Sequence, residues 1–221
     1  MSHELFNWAG SAEALWNAAE RAENRCNARV IRELRSSLPA ELPLVEQVRL
    51  VRGFSLWLRD EYGVSVQSDI HAPRFLDRGE ERLHNAGKLA MDAQEYMAAL
   101  FDPTCTNRNF HAHILMTTRQ VCPKTNVFGA KTRILDDKKT GREEILRIRR
   151  EWEKRTNAAL KRIGSPTRVD LRSYKDMVKA GDAPAPRSSW PTPGRKGTPF
   201  GRKRKRHQQG GAAQGRNPGA Q

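Results

Sequence analysis

The chain has 221 residues, with 40 lysines and arginines against 25 acidic residues and a formal net charge of +15. No run approaches the ~18 consecutive apolar residues of a membrane-spanning helix, and the first residues lack the basic-then-apolar order of a secretory signal. A hydrophobic share of 37% is low for a chain packed throughout, and the positive excess points to a polyanionic partner, nucleic acid above all.

Ser11 is placed as a helix N-cap, with Glu13 in the first turn. From there Leu15, Ala19, Ala22, Cys26, Val30, Leu34 and Leu38 recur at three- and four-residue steps, which predicts one long amphipathic helix ended by Pro39. Arg21, Arg25, Arg29, Arg32 and Arg35 fall off that stripe and make its other side basic. A second helix is expected from about Leu44 to Tyr62, with Val48, Val51, Phe54 and Leu58 on its apolar face and Gly63 as its stop. Val64 to His71 then switches to period two: Val64, Val66, Ser68 and Ile70 face one way, Ser65, Gln67, Asp69 and His71 the other. A long connection from Arg74 to Asn109 contains a predicted helix, Leu89 to Leu100. Phe110 to Thr118 is a second strand, with Phe110, Ala112, Ile114 and Met116 opposite His111, His113, Leu115 and Thr117. A basic loop follows (Lys124, Lys131, Arg133, Lys138, Lys139), and then a charged helix from about Glu143 to Arg162 with Ile145, Ile148, Trp152, Ala159 and Leu160 on its apolar side. Helices with two strands make an α+β layer arrangement.

The cysteines, Cys26, Cys105 and Cys122, are odd in number and show no framework spacing, which suits a reducing, cytoplasmic compartment. The chain is divided into a folded region, 1–180, and a tail, 181–221. The tail holds nine of the basic residues, one acid and six of the 12 prolines. Such a composition buries too little apolar surface to offset ordering entropy, so disorder is expected. Within it Arg202, Lys203, Arg204, Lys205 and Arg206 form a run that either solubilises the chain or grips phosphate without reading sequence.

His111 and His113 stand two apart on one strand face, a spacing that lets both reach one metal ion. If the two strands pair, His71 joins them in a three-histidine site, and Asp69 on the same face is placed to accept an imidazole N–H from outside the ligand set. Neutral imidazoles with open coordination positions suit a Lewis acid acting on a phosphoryl oxygen. An H-x-H pair arises by chance in roughly one chain in six of this composition, so spacing alone leaves two exposed strand histidines as an alternative. A closed zinc site from Cys105, His111, His113 and Cys122 is a further alternative.

Several ordered motifs then resemble one family. FHAHILMTTR, Phe110 to Arg119, resembles the H-A-H-I-x-x-T-T-R strand of the MobA/MobL plasmid mobilisation relaxases. Leu15 to Leu42 is similar to their W-N-x-x-E-x-x-E-x-R helix with its R-E and LP-x-E-L elements. SDIHAP, Ser68 to Pro73, looks like their D-x-A-I-H strand, and Phe128 to Leu160 resembles the segment after the H-A-H strand. RVDLRSY, Arg168 to Tyr174, looks like V-D-H-R-S-Y, with Leu171 in the histidine position.

The resemblance implies an HUH-type relaxase: an antiparallel sheet flanked by helices, on which His71, His111 and His113 hold Mg²⁺ or Mn²⁺ against single-stranded DNA at a plasmid transfer origin. It places Arg119, Lys131 and Arg133 where the family is basic, for phosphate contacts, and makes Glu33 of the R-E motif an orienting carboxylate. Other mobilisation or secretion proteins are the further partners it suggests. In the family a tyrosine attacks the phosphate. The family's first strand and its A-A-Y-R-x-G tyrosine segment have no match here, so a shortened, nicking-impaired relaxase with an exposed sheet edge is expected. Tyr62, Tyr96 and Tyr174 are the tyrosines present. None matches the family nucleophile, so the catalytic residue stays unassigned: all three read first as packing or surface residues, and Tyr96, on a helix that could fold over the metal face, is the least unsuitable substitute. His84, in the long connection, is a reserve ligand. The alternative function is a non-catalytic, basic nucleic-acid-binding accessory protein.

Overall fold

The computed structural model describes residues 2–77, 79 and 91–183. The tail run Arg202 to Arg206 and His84 lie outside them. Contacts divide the chain into two units, Met1–Leu171 and Arg172–Gln221. Of the second, the described part is a short helix, Tyr174–Ala180, capped by Ser173 and closed by left-handed Gly181.

The first unit is built in the order β1 (Ser2–Phe6), α1 (Ala12–Arg21), β2 (Ile31–Ser37), α2 (Leu44–Tyr62), β3 (Val64–His71), α3 (Ala93–Phe101), β4 (His111–Cys122), β5 (Val127–Lys131) and α4 (Gly141–Arg162). The strands form one antiparallel sheet in the order β1-β3-β4-β2, with β5 hairpinned onto the far end of β4. Helices flank it, so the fold is α+β as the periodicities imply.

The sequence pattern places α2, β3 and the start of β4 well, because each carries its own local signal. Leu50, Val51, Phe54, Leu58 and Tyr62 recur on one buried face of α2. Gly63 ends the helix at φ 65, a left-handed conformation that costs a residue bearing Cβ roughly 1–2 kcal/mol. Gly63→Ala is therefore expected to lower the melting temperature by roughly 2–8 °C in a thermal scan, for a domain of this size. An unchanged midpoint would show that the cap geometry carries no strain.

Four sequence expectations are corrected. The predicted helix from Leu15 to Leu38 is α1 followed by β2, with an irregular passage between. From Ile31 to Ser37 only Ile31 and Leu34 are apolar, three residues apart, so the sequence itself carries no strand alternation there. Pairing with β4, Leu34 opposite Ile114, decides in favour of the strand. The sheet edge beside β3 is not bare: β1 pairs along it from Ser2 opposite Ile70 to Phe6 opposite Val66. The basic loop after the H-A-H strand is a β-hairpin, β4 running on to Cys122 and turning back through Val127–Lys131. Ile145 is not core: it is 52% exposed and lines a recess of 340 Å³ with Leu34 and Met116.

The core lies on one side of the sheet. Ile70, Ala112, Ile114 and Met116 pack against Phe54 and Leu58 of α2 and Ile148, Trp152, Ala159 and Leu160 of α4. Phe54 meets Trp152 edge-on, with ring centroids 4.9 Å apart. The helix in the long connection, α3, starts at Asp92 with a complete capping box to Glu95. It stacks Phe101 on Phe110 with centroids 4.5 Å apart, joining the same core.

Candidate metal centre on the open sheet face

Register fixes which residues share the opposite face. Successive strand side chains alternate, and directly paired residues point the same way. His71 pairs with His111, and Asp69 with His113, so all three histidines stand together on the side away from the core. Their candidate ligand atoms lie within 4.8 Å of one another. His71 stacks on His113 with centroids 4.3 Å apart and meets His111 at 5.2 Å.

Hydrogen bonds set the tautomers. The Asn109 carbonyl lies 3.0 Å from Nδ1 of His111, so that nitrogen donates and Nε2 is left for a ligand bond. Glu33 Oε1 accepts from Nδ1 of His113 at 2.5 Å, which frees Nε2 of His113 in the same way. The bond to His113 in turn holds the Glu33 carboxyl below its ordinary pKa. Burial, then the charges of His113 and His111, push the His71 imidazole below its ordinary pKa, which keeps its lone pair available near neutral pH. Three converging imidazoles, two of them with Nε2 left free by the bonds at Nδ1, form a donor set that fits a divalent cation with positions left open.

Glu33 comes to this site from β2, the segment the periodicity assigned to a helix, in register beside Arg35, which pairs with His113. Glu33→Ala is expected to weaken Mn²⁺ binding by about 10–100-fold, the usual cost of losing an outer partner of a ligating histidine. Isothermal titration calorimetry reads this, and an unchanged constant would remove Glu33 from the site.

Asp69 is on the expected face but makes different contacts. Its Oδ1 lies 2.6 Å from Nδ1 of His3, and its Oδ2 accepts from Gln67 Nε2 at 2.8 Å. Gln67 Oε1 accepts from the Trp16 indole at 2.6 Å, which sets α1 over this face of the sheet. His3 is thus a fourth histidine on the face, opposite Asp69 in the β1–β3 register. Sequence reasoning passed over it; the alternation of His3 and Leu5 against Glu4 and Phe6 was the available signal.

The two tyrosines of the first unit are placed elsewhere. Tyr62 is buried and donates to Glu144 Oε2 at 2.8 Å. Burial and then that hydrogen bond push its phenol above the ordinary range. Tyr96 packs against the core cluster, its ring 6.0 Å from that of Phe75, so α3 does not bring it over the histidines. Tyr174 opens the helix of the second unit and is 51% exposed. The alternative zinc site is not assembled: Cys122 is nine residues beyond His113 on β4, roughly 30 Å along the strand.

Arg119 and Lys131 converge, but on a carboxylate of the chain itself. Glu23 accepts from Arg119 Nε at 2.9 Å and pairs with Lys131 Nζ at 2.6 Å. Burial pushes the Glu23 carboxyl upward, but hydrogen bonds from Lys131 and Arg119 outweigh it and hold the pKa low. Arg133 lines the same open basin, 1090 Å³, with Arg25 and Asn24. The basin lies six residues along β4 from His113, roughly 20 Å. Glu23→Gln is expected to release both cations toward phosphate. The log–log salt slope for an oligo-dT strand should then steepen by roughly 0.7–1.4, about 0.7 per cation gained. An unchanged slope would mean that neither side chain reaches DNA.

An α+β domain with an antiparallel sheet and a three-imidazole cluster on the face away from the core thus has the features the sequence resemblance implied. Residues 1–184 match the model of the MobA/MobL family, and the chain belongs to that family. It is 32% identical over 166 residues to the mobilization protein MobL of Acidithiobacillus ferridurans, which covers 72% of this chain and 41% of that relative. The chain therefore spans less than half the length of the curated relative it matches. It is also similar to a solved structure described as the molecular basis of vancomycin resistance transfer in Staphylococcus aureus. That likeness has a TM-score of 0.53 and 25% identity, over 79% of this chain and 76% of the other. Among the described residues no helix is long and apolar enough to cross a membrane.

Proposed function

We propose that this chain is a plasmid mobilisation relaxase domain that holds Mg²⁺ or Mn²⁺ on His71, His111 and His113 and presents it to single-stranded DNA at a transfer origin. The observation that carries the reading is the convergence of three imidazole ligand atoms within 4.8 Å on an open sheet face, in a chain of the MobA/MobL family. A cation bound there supplies a Lewis acid for a phosphoryl oxygen. Glu33 holds His113, the Asn109 carbonyl holds His111, and all three histidines stay exposed or part-exposed to an incoming strand. Arg119, Lys131 and Arg133, with the tail cations Arg202 to Arg206, are the proposed phosphate contacts; Asp69 acts on the site through His3.

A covalent nicking step needs a nucleophilic hydroxyl. Tyr62 and Tyr96 pack on the core side of the sheet, so acting alone the chain is expected to bind DNA and metal but to nick poorly. That placement also favours the second reading, a non-catalytic nucleic-acid-binding protein of the mobilisation apparatus. Replacing all three histidines with alanine separates the two. Under the first, Mn²⁺-dependent binding of an origin oligonucleotide, followed by fluorescence anisotropy, is lost. Under the second, DNA affinity stays as in wild type with or without Mn²⁺.

A further inference from the structure

We propose that His3, held by Asp69, is the proton acceptor for the DNA hydroxyl that attacks phosphorus at this site; the inference rests on the relaxase reading above. His3 is on β1, two strands from His113, and Asp69 stands between them in the same cross-strand row. Strand spacing puts the His3 and His113 backbones about 10 Å apart, close enough for one phosphodiester to lie between an ion at the histidine cluster and the His3 ring.

The imidazole is oriented through a chain of hydrogen bonds rather than left to rotate. Trp16 Nε1 donates to Gln67 Oε1 at 2.6 Å, Gln67 Nε2 donates to Asp69 Oδ2 at 2.8 Å, and Asp69 Oδ1 faces His3 Nδ1 at 2.6 Å. Gln67 can satisfy Trp16 only through its oxygen, so its amide nitrogen is turned to Asp69. Asp69, accepting on both oxygens, is turned to His3. In the neutral ring a carboxylate at that distance holds the hydrogen on Nδ1 and so places the lone pair on Nε2, the tautomer in which an imidazole serves as a general base. His3 also lines an open cavity of 400 Å³ together with Ser2, Asp69 and His71, so the ring and one metal ligand border the same space. Its side chain is 54% exposed, leaving Nε2 within reach of a substrate.

The step is strand joining. The 3′-hydroxyl oxygen of one DNA strand attacks the 5′-phosphorus of another that carries an aryl ester. The new O3′–P bond forms, the P–O(aryl) bond breaks, the hydroxyl proton passes to His3 Nε2, and the aryl oxygen leaves with its electron pair. No oxidant or further reactant is involved, and the nucleophile comes from DNA, so no protein tyrosine is required.

The test uses the full chain with Mn²⁺, an oligonucleotide whose 5′-phosphate is a p-nitrophenyl ester, and an acceptor strand ending in a 3′-hydroxyl, both of origin sequence. Nitrophenolate leaves without being protonated, so the rate reports on removal of the hydroxyl proton. Wild type is expected to release nitrophenolate and give joined product. His3→Gln should lower the rate by about 10²-fold or more while Mn²⁺ affinity stays within twofold of wild type by calorimetry. His3→Gly should be partly restored by free imidazole, and His111→Ala should not. Wild-type rates in His3→Gln, or His3→Gly without rescue, would overturn the inference and leave the relaxase reading standing. Wild type no faster than His111→Ala would overturn both.

Discussion

Replacing His111 with alanine is expected to remove Mn²⁺ binding altogether within the range a calorimeter reads. The loss should exceed the 10–100-fold expected for Glu33→Ala, because an inner ligand is lost rather than its support. Two imidazoles, His71 and His113, would remain on the open face. The Nε2 of His111 is aimed by the Asn109 carbonyl, not by any side chain that could replace it. Since His111 faces away from the core, the melting temperature of the metal-free variant should stay close to that of wild type. Retained stoichiometric Mn²⁺ binding would place the metal elsewhere and remove the basis of the proposed function. A folded variant that binds neither Mn²⁺ nor, in its presence, the origin strand is the expected result.

The second large effect is on stability. Phe54→Ala is expected to cost about 3–5 kcal/mol, from lost burial plus the cavity left behind. Phe54 is 1% exposed, meets Trp152 edge-on at 4.9 Å and stacks on Trp57 at 5.7 Å. It shares the buried core with Ile114 and Ala112, whose strand carries His111 and His113 on its other side. For a domain of this size the loss corresponds to a fall in melting temperature of roughly 6–20 °C. Because β4 is one strand with two faces, metal affinity should fall as well once the core loosens, whereas His111→Ala changes affinity without changing stability. A drop of less than about 1 kcal/mol by urea titration would show that Phe54 is not central to the packing.

What the sequence made legible was local. The α2 stripe, its glycine stop and the alternation of Val64 to His71 all lie within one element. The histidine cluster was also within reach, because β3 and β4 each expose histidines on their polar face and only one pairing was needed to join them. What stayed hidden depends on partners far along the chain. Ile31 to Ser37 fits a helical stripe until β4 is available to pair with it, about 80 residues later. The Glu33–His113 bond spans the same separation, and the resemblance suggested a role for Glu33 without its contact. His3 needed the β1–β3 register to be seen at all. Charge misled in the opposite direction. Arg119 and Lys131 read as open cations, and the fold ties both to one nearly buried carboxylate.

The strand order has a consequence for how the molecule is made. The early strands β1 and β2 form the outer positions, and the later strands β3 and β4 form the middle. On the ribosome β2 is complete at Ser37, but β4, with which it pairs, is not finished until Cys122. At about 5–20 residues per second, β2 waits on the order of 4–17 s with its backbone unpaired. β1 can pair once β3 is complete at His71, whereas β4 has to join both β3 and β2, so His111 and His113 reach His71 only when this last central strand is made. Long-range pairing of this kind slows folding. The basic residues of β2 and the passage before it, Arg25, Arg29, Arg32 and Arg35, keep that waiting segment charged and disfavour its pairing with another nascent chain.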